Sequence, residues 1–366
     1  MGATFIVTRS DDRNGVCVSG LDCSFREAVS AANASPEDDT INFDGVGAPI
    51  SVNGKVRIRL GNQIIIENAG ALTINGLGAN VLTIDGNSIN NGFQYGNRIF
   101  YINNANVTIR NVKLTGGYLN GGNGGNGGGI LVNEGTLVLD RVYVTGNQTG
   151  ISGGGIYYSG GTNHRIIKST ISNNVAVSSG GGGFALVGGT LSVANTTISG
   201  NSASVGSFNG MGGGFLGSPT LRNVTITMNG GSANNNAFSG NPEMKNTIVT
   251  GEQRQLNFPF PCAVTTADNN LVGDCSATLI LGPLQHNGGS TPTFALLPGS
   301  PAIDGGNNAF AVDPFDNSPL LTDQRGKGFP RIVDGNGDGE ATVDIGAFEA
   351  PQTAIIASVK TGKKLR

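Results

Sequence analysis

Gly127-Gly128-Gly129-Ile130 opens a unit that is written four times, returning as Gly153-Gly154-Gly155-Ile156, Gly181-Gly182-Gly183-Phe184 and Gly212-Gly213-Gly214-Phe215. Each copy is followed by an aliphatic residue, a Ser or Thr, any residue, and an Asn. These read Val144-Thr145-Gly146-Asn147, Ile171-Ser172-Asn173-Asn174, Ile198-Ser199-Gly200-Asn201 and Ile226-Thr227-Met228-Asn229. The aliphatic positions step by 27 (144 to 171), 27 (171 to 198) and 28 (198 to 226) residues. A fixed period of this length marks one supersecondary unit stacked on copies of itself. Paired helices are excluded, because each interior glycine costs a helix about 1 kcal/mol. Short, β-branched, alternating stretches such as Thr196-Thr197-Ile198-Ser199 signal strands instead. The unit accommodates three short strands and three turns, one coil of an all-β, right-handed parallel β-helix.

Stacked coils put Val144, Ile171, Ile198 and Ile226 above one another inside. Alternation along a strand then turns Thr170/Ser172, Thr197/Ser199 and Thr225/Thr227 outward. On this register Ile198→Asp destroys folding while Thr197→Asp is mild. The glycine triplets let the chain turn through positive φ while coils approach closely. The stacked Asn147, Asn174, Asn201 and Asn229 suit a turn, since Asn tolerates the left-handed region and its amide satisfies backbone groups.

The 366-residue chain holds 61 glycines and 13% charged residues, with no glycine period of three, so collagen is excluded. A net charge of -3 gives no footprint for nucleic acid. No apolar run reaches about 18 residues, so no membrane span is expected. The four cysteines form two local pairs, Cys17 with Cys23 and Cys262 with Cys275, without the spacing or His neighbours of a zinc site. Two short disulfides are expected, and with them an oxidising compartment. Met1-Gly2 runs straight into the strand-like Thr4-Phe5-Ile6-Val7-Thr8, as expected of a chain whose signal peptide has been removed.

Residues 1–40 read as an N-terminal cap. Ser24 and Glu27 form a capping box, and Phe25, Ala28, Val29 and Ala32 share one helical face that can cover the open first coil. Residues 41–251 are the β-helix proper, roughly eight coils and about 40 Å at one strand spacing per coil. Prolines and acids return in residues 252–350, read as an irregular C-terminal cap, and residues 351–366 form a basic tail.

Three stretches resemble known families. Cys23-Ser24-Phe25-Arg26-Glu27-Ala28 resembles the CSLREA motif of secreted bacterial repeat proteins, with Phe25 for Leu. The Gly-Gly-Gly-Ile/Phe and Ile-Ser-x-Asn repeats are similar to those of the polymorphic outer-membrane proteins. Ser300-Pro301-Ala302-Ile303-Asp304-Gly305, Thr322-Asp323-Gln324-Arg325-Gly326 and Asp344-Ile345-Gly346-Ala347-Phe348-Glu349 resemble the choice-of-anchor Q domain. The resemblance implies a secreted or surface-displayed bacterial β-helix and brings no catalytic residues with it.

The same fold class also contains pectate-lyase-like lyases and hydrolases. Such chemistry needs paired carboxylates, or acids holding Ca²⁺ beside a base. The sequence offers Asp85, Asp140, Arg110 and Lys113 for an enzyme, all equally at home as solvated strand positions. Asp140 and Arg141 are adjacent, so on a strand they point to opposite faces. His164 and His286 lack an evident partner. The outward Thr/Ser pairs make a two-file hydroxyl ladder that suits a glycan, or reflect β-propensity alone. Asp334-Gly335-Asn336-Gly337-Asp338-Gly339-Glu340 matches the first half of an EF-hand loop, with Asp344 one short of the twelfth position. The loop is a candidate Ca²⁺ site. The expected function is a non-catalytic structural or adhesion module whose partner is an extracellular glycan or another surface protein.

Overall fold

The computed structural model describes residues 2–43, 54–67, 70–87, 96–119, 125–203, 212–231, 237–250, 263–273 and 281–352. Cys262, Cys275, the boundary at 251 and residues 353–366 of the tail lie outside them. The chain is almost entirely β, with one α-helix among the described residues, and its large parallel sheets stack as in a parallel β-helix.

The register of the sheets follows the repeat. Val144 pairs with Ile171, Ile171 with Ile198 and Ile198 with Ile226. The same column begins earlier, with Ile58, Ile84 and Leu114, and continues through Val249 to Val272. A second column runs Phe5, Ile41, Ile74, Ile109, Leu139, Ile166, Val193, Leu221 and Met244. Nine rungs at one strand spacing each make a stack about 40 Å tall. A further side carries Ile64, Phe100, Ile130, Ile156, Phe184, Phe215 and Phe238. There the Phe184, Phe215 and Phe238 rings lie face on face, 4.9 Å apart.

Each central coil has one more strand segment than the three expected. Two-residue strands at Tyr118–Leu119, Gln148–Thr149, Val175–Ala176, Ser202–Ala203 and Gly230–Gly231 form a separate five-stranded sheet. Two residues cannot show a period, which is why the sequence reads as turn there.

The glycine triplet and the recurring asparagine meet in one contact. Asn147 Nδ2 donates to Asn174 Oδ1 at 3.0 Å, Asn174 Nδ2 to Asn201 Oδ1 at 2.9 Å, and Asn201 Nδ2 to Asn229 Oδ1 at 2.9 Å. Each Oδ1 also accepts the backbone N–H of the Asn one coil earlier, at 3.1 Å. Each Nδ2 also donates to a carbonyl one coil back, that of Leu114, Val144, Ile171 or Ile198. All four amides are buried. The third glycine of each triplet packs on this ladder. A Cβ at Gly129 would sit 2.6 Å from the Gly155 carbonyl and 3.2 Å from the Asn147 amide, and Gly155, Gly183 and Gly214 repeat the approach to Asn174, Asn201 and Asn229. The ladder asparagines themselves are not the positive-φ residues. That role falls one position earlier, on Gly146, Asn173, Gly200 and Met228.

The N-terminal end is closed by the expected helix, Phe25–Asn33. Both arms of the capping box form, and Phe25, Ala28, Val29 and Ala32 are buried. The Phe25 ring meets Phe43 at 5.4 Å and Phe100 at 6.0 Å. Cys17 and Cys23 are linked. The loop they bracket covers the free edge of strand Thr4–Ile6: Ile6 N–H donates to Ser19 Oγ at 2.9 Å, Ser19 Oγ donates to the Thr4 carbonyl, and Gly20 N–H donates to the Ile6 carbonyl. An unpaired strand edge is a template for association, and this loop occupies it.

Asn201→Ala removes the acceptor of the Asn174 backbone N–H and of one of its two Nδ2 bonds, and the side-chain donor to the Ile171 carbonyl and to Asn229 Oδ1, all buried, and is expected to cost about 3 kcal/mol or more. Gly183→Ala pushes a methyl against the Asn201 amide and is expected to cost a comparable amount. Val187→Ala, on the exposed outside, is expected to stay within about 0.5 kcal/mol. Chemical denaturation of the three variants checks the assignment, and near-equal midpoints would contradict it.

Candidate functional site

The Ile198 column belongs to a strand whose outward positions form two files along the stack. One reads Arg57, Thr83, Lys113, Tyr143, Thr170, Thr197, Thr225; the other reads Arg59, Asp85, Thr115, Thr145, Ser172, Ser199, Thr227. The flank changes character halfway along.

From Thr170 onward it is covered. The hydroxyl ladder expected at the surface is buried, Thr170 and Thr197 at 0% exposure and Thr225 at 2%. The cause is the segment 281–352, which lies along this flank rather than only over the end. Gln324 spans two rungs: its Nε2 donates to Thr170 Oγ1 at 2.8 Å, while Thr197 Oγ1 donates to its Oε1 at 2.7 Å. Ala347 N–H donates to Thr225 Oγ1 at 3.0 Å, and Thr170 Oγ1 donates to the Pro292 carbonyl at 2.7 Å. Thr197→Asp would therefore bury a charge beside Gln324 Oε1, so the mild outcome read from alternation does not hold.

The corner before this strand is a column of positive-φ residues: Asn111, Arg141, Lys168, Asn195, Asn223, Asn246 and Asn269. Lys168 opens the covered half, its carbonyl accepting from Thr291 Oγ1, and beyond it the column is asparagine, each side chain bonding the segment. Asn195 donates to the Thr322 carbonyl, Asn223 to that of Asp344 and Asn269 to that of Gly305, while Asn246 exchanges two bonds with Asn307. Arg165 adds an ion pair with buried Asp313.

The C-terminal motifs are the machinery of this docking. Arg325 is sandwiched between the Phe329 and Phe348 rings, at 3.9 and 3.8 Å, and its Nε and Nη2 donate to Asp323 Oδ2 at 2.8 and 2.6 Å. Gly346 has φ 101°, and a Cβ there would sit 2.7 Å from the Ile248 side chain. Arg331 is fully buried, donating to the Asp344 and Gly346 carbonyls 3.4 Å from Glu349. Burial pushes the Glu349 carboxyl up to about 9, with Arg331 pulling the other way, and pushes Asp344 up to about 6.

The loop read as a Ca²⁺ site is organised differently. Asp334 accepts the backbone N–H groups of Gly337, Asp338 and Gly339. Asn336 Oδ1 accepts the Asp338 N–H, and Asp338 Oδ1 accepts the Glu340 N–H. Asp344 is turned away and buried, accepting the N–H groups of Asp304 and Ala350. Asn336 Nδ2 donates to Asp338 Oδ2, and among the described residues no group of three or more His, Cys, Asp or Glu gathers as a metal site. The acids fold the turn through their own backbone, a use that ligand spacing alone does not distinguish from metal binding.

The first half of the flank is open, and the residues singled out for an enzyme fall there in separate places. Asp85 is 4% exposed and held by Arg57, with Nη2 to Oδ2 at 2.6 Å, and more distantly by Arg59 at 3.7 Å. Its Oδ1 accepts the Asn87 N–H. A cleft of about 340 Å³ runs over this group, lined by Arg57, Arg59, Asp85, Asn87, Thr115, Gly116 and Gly146. A second, of about 550 Å³, continues it past Gly61 to Ser10, Asp11 and Asp12. Asp140 and Arg110 end the paired strands Ile130–Asp140 and Phe100–Arg110, 3.8 Å apart. Arg141 meets Asp140 at 2.8 Å, contrary to alternation, because Arg141 is the positive-φ corner residue and the strand ends before it. Lys113 lies over the Tyr143 ring at 5.3 Å. His164 is buried: its Nδ1 accepts the Leu137 N–H and its Nε2 donates to the Gly160 carbonyl, and burial lowers its pKa. Arg57 and Arg59 were not singled out in the sequence, although their i, i+2 spacing on a strand puts both on its outward face, at the head of the two files.

Gln324→Leu is expected to leave the Thr170, Thr197 and Thr291 hydroxyls poorly satisfied, and limited proteolysis is expected to cut residues 281–352 faster while the coils stay protected. Unchanged cleavage would show that the docking does not depend on this side chain. The raised carboxyls set a pH dependence. Their ordinary values are 4.5 for Glu349 and 3.8 for Asp344, so the folded chain holds protons that the unfolded chain releases. Their contribution is full below about pH 4 and is lost as pH rises, that of Asp344 through about 6 and that of Glu349 through about 9. Melting temperatures of the native chain and Glu349→Gln are expected to diverge across that range, the native chain losing more towards alkaline pH. A constant difference would contradict the assignment.

Comparison of the chain with family models, with curated proteins and with solved structures finds no match.

Proposed function

We propose that this chain is a secreted or surface-displayed, right-handed parallel β-helix that acts as a non-catalytic structural or adhesion module. The observation that carries this reading is the state of the two acids an enzyme would need. Asp85 is buried and held by the exposed Arg57, and Asp140 is engaged by Arg141 and Arg110 on a different strand. General acid–base catalysis contributes about 10²–10⁴-fold only where a tuned acid or base reaches the substrate. The two acids stand on different strands, and each is held by its own arginines. The Cys17–Cys23 disulfide fits an oxidising compartment. The docking of residues 281–352 along five rungs supports a stiff, braced platform.

Incubation with uronic-acid polymers and with neutral glycans is expected to yield no new reducing ends and no unsaturated products, with or without added Ca²⁺. Turnover that disappears in Asp85→Asn or Asp140→Asn would make the chain a lyase or hydrolase and end the scaffold reading.

A further inference from the structure

The open half of the flank differs in charge from the rest of the molecule. Among the described residues, Arg57, Arg59, Arg110, Lys113 and Arg141 line it around the corner between two strands, against Asp85 and Asp140, while Asp11 and Asp12 at the far end of the cleft are paired with Arg9 and Arg26. Five cations less two anions leave an excess of three positive charges, on a chain whose net charge is -3. The guanidinium groups are the exposed members: the Arg57 and Arg59 side chains are 54% and 66% exposed, while Asp85 beneath them is 5%. One buried carboxylate thus orients two arginines towards solvent and leaves one charge in excess. The strand register sets the spacing. Arg57, Thr83, Lys113 and Tyr143 succeed one another on adjacent rungs, so Arg57 and Lys113 are two rungs, about 10 Å, apart. Thr83 stands between them, with Thr115 and Asn87 in the adjoining cleft.

We propose that this flank binds an acidic polysaccharide. The inference deepens the reading of the chain as a binding scaffold and rests on it. The chemistry that selects the ligand is the interleaving of cations with neutral hydroxyl and amide groups on a rigid strand lattice. A chain of sugars bearing carboxylate or sulfate presents the same alternation of anionic and hydroxyl groups. Arginine is suited to the anions, since its planar fork meets a carboxylate or sulfate through two parallel hydrogen bonds. The cleft beside Arg57 and Arg59 is open and polar, with room for sugar rings along the stack. Nucleic acid fits less well, because Tyr143 is the single aromatic in these outward files and its face is occupied by Lys113.

The test uses the full chain in affinity electrophoresis through gels containing dextran, dextran sulfate or polygalacturonate, with a single-stranded oligonucleotide as competitor. Retardation by the two acidic polymers and not by dextran is expected, weakening as salt is raised. Arg59→Gln combined with Lys113→Gln leaves the Arg57–Asp85 pair intact and is expected to weaken retardation on the order of ten-fold, with an unchanged melting temperature. Lys327→Gln, which removes an exposed cation from the C-terminal segment, is expected to leave it unchanged. Equal retardation by dextran, no loss in the double variant, an equal loss in Lys327→Gln, or displacement by the oligonucleotide at lower concentration than by polygalacturonate would each overturn the proposal. Failure here leaves the absence of turnover, and so the scaffold reading, standing. Turnover of either polymer would overturn the scaffold reading whatever the binding result.

Discussion

A buried primary amide is tolerable only when its two N–H groups and its carbonyl all find partners, and the Asn147–Asn229 ladder meets that condition by repetition. Each amide is satisfied by the coil before it and the coil after it, so no member can be placed until its neighbour is in register. The glycine triplets are the counterpart of this demand: the third glycine lets the next strand pass within van der Waals distance of the amide. Register, coil size and the close stacking of the sides all follow. A one-residue slip would both expose the Ile198 column and leave several buried amides unpaired at once.

Legibility in the sequence followed from repetition. The aliphatic column, the asparagine ladder and the capping-box helix are local or periodic signals, and they can be read because the same physical requirement recurs at each rung. What was misread lacked one of those properties. The two-residue strands at Gln148–Thr149 and Val175–Ala176 are too short to carry a period. The positive-φ residue was placed on the asparagine when it sits one position earlier, because Asn173 and Asn174 are both asparagine and chemistry alone does not separate a ladder from a corner. The fate of Thr170 and Thr197 depended on a glutamine more than 120 residues downstream. Alternation shows which way a side chain leaves the strand, and says nothing of what lies beyond it.

The candidate site was legible in a different proportion. Asp85, Asp140, Arg110 and Lys113 do lie on the open flank, but as members of separate pairs, and the arginines that dominate its charge stood unremarked in a short alternating strand. The corner column held a readable clue to the boundary between open and covered halves. It runs as Asn111 in the open half, as Arg141 and Lys168 at the edge of the covering, and as asparagine again from Asn195 onward under the docked segment. Asparagine there reaches a carbonyl of the docked segment. A long cation at the same φ reaches solvent or a carboxylate instead.

In a simple solenoid each coil touches only its neighbours, and the stack can fray one unit at a time from its ends. The docked segment changes that connectivity. Its bonds to Arg165 and Thr170, Asn195 and Thr197, Asn223 and Thr225, Asn246, and Asn269 lie side by side along the stack axis. A force drawn through the chain at residue 352 therefore enters the stack as shear shared over five rungs. It does not peel the last coil from the one beneath. The same cross-bracing makes those rungs yield together or not at all, so this part of the rod behaves as one mechanical unit.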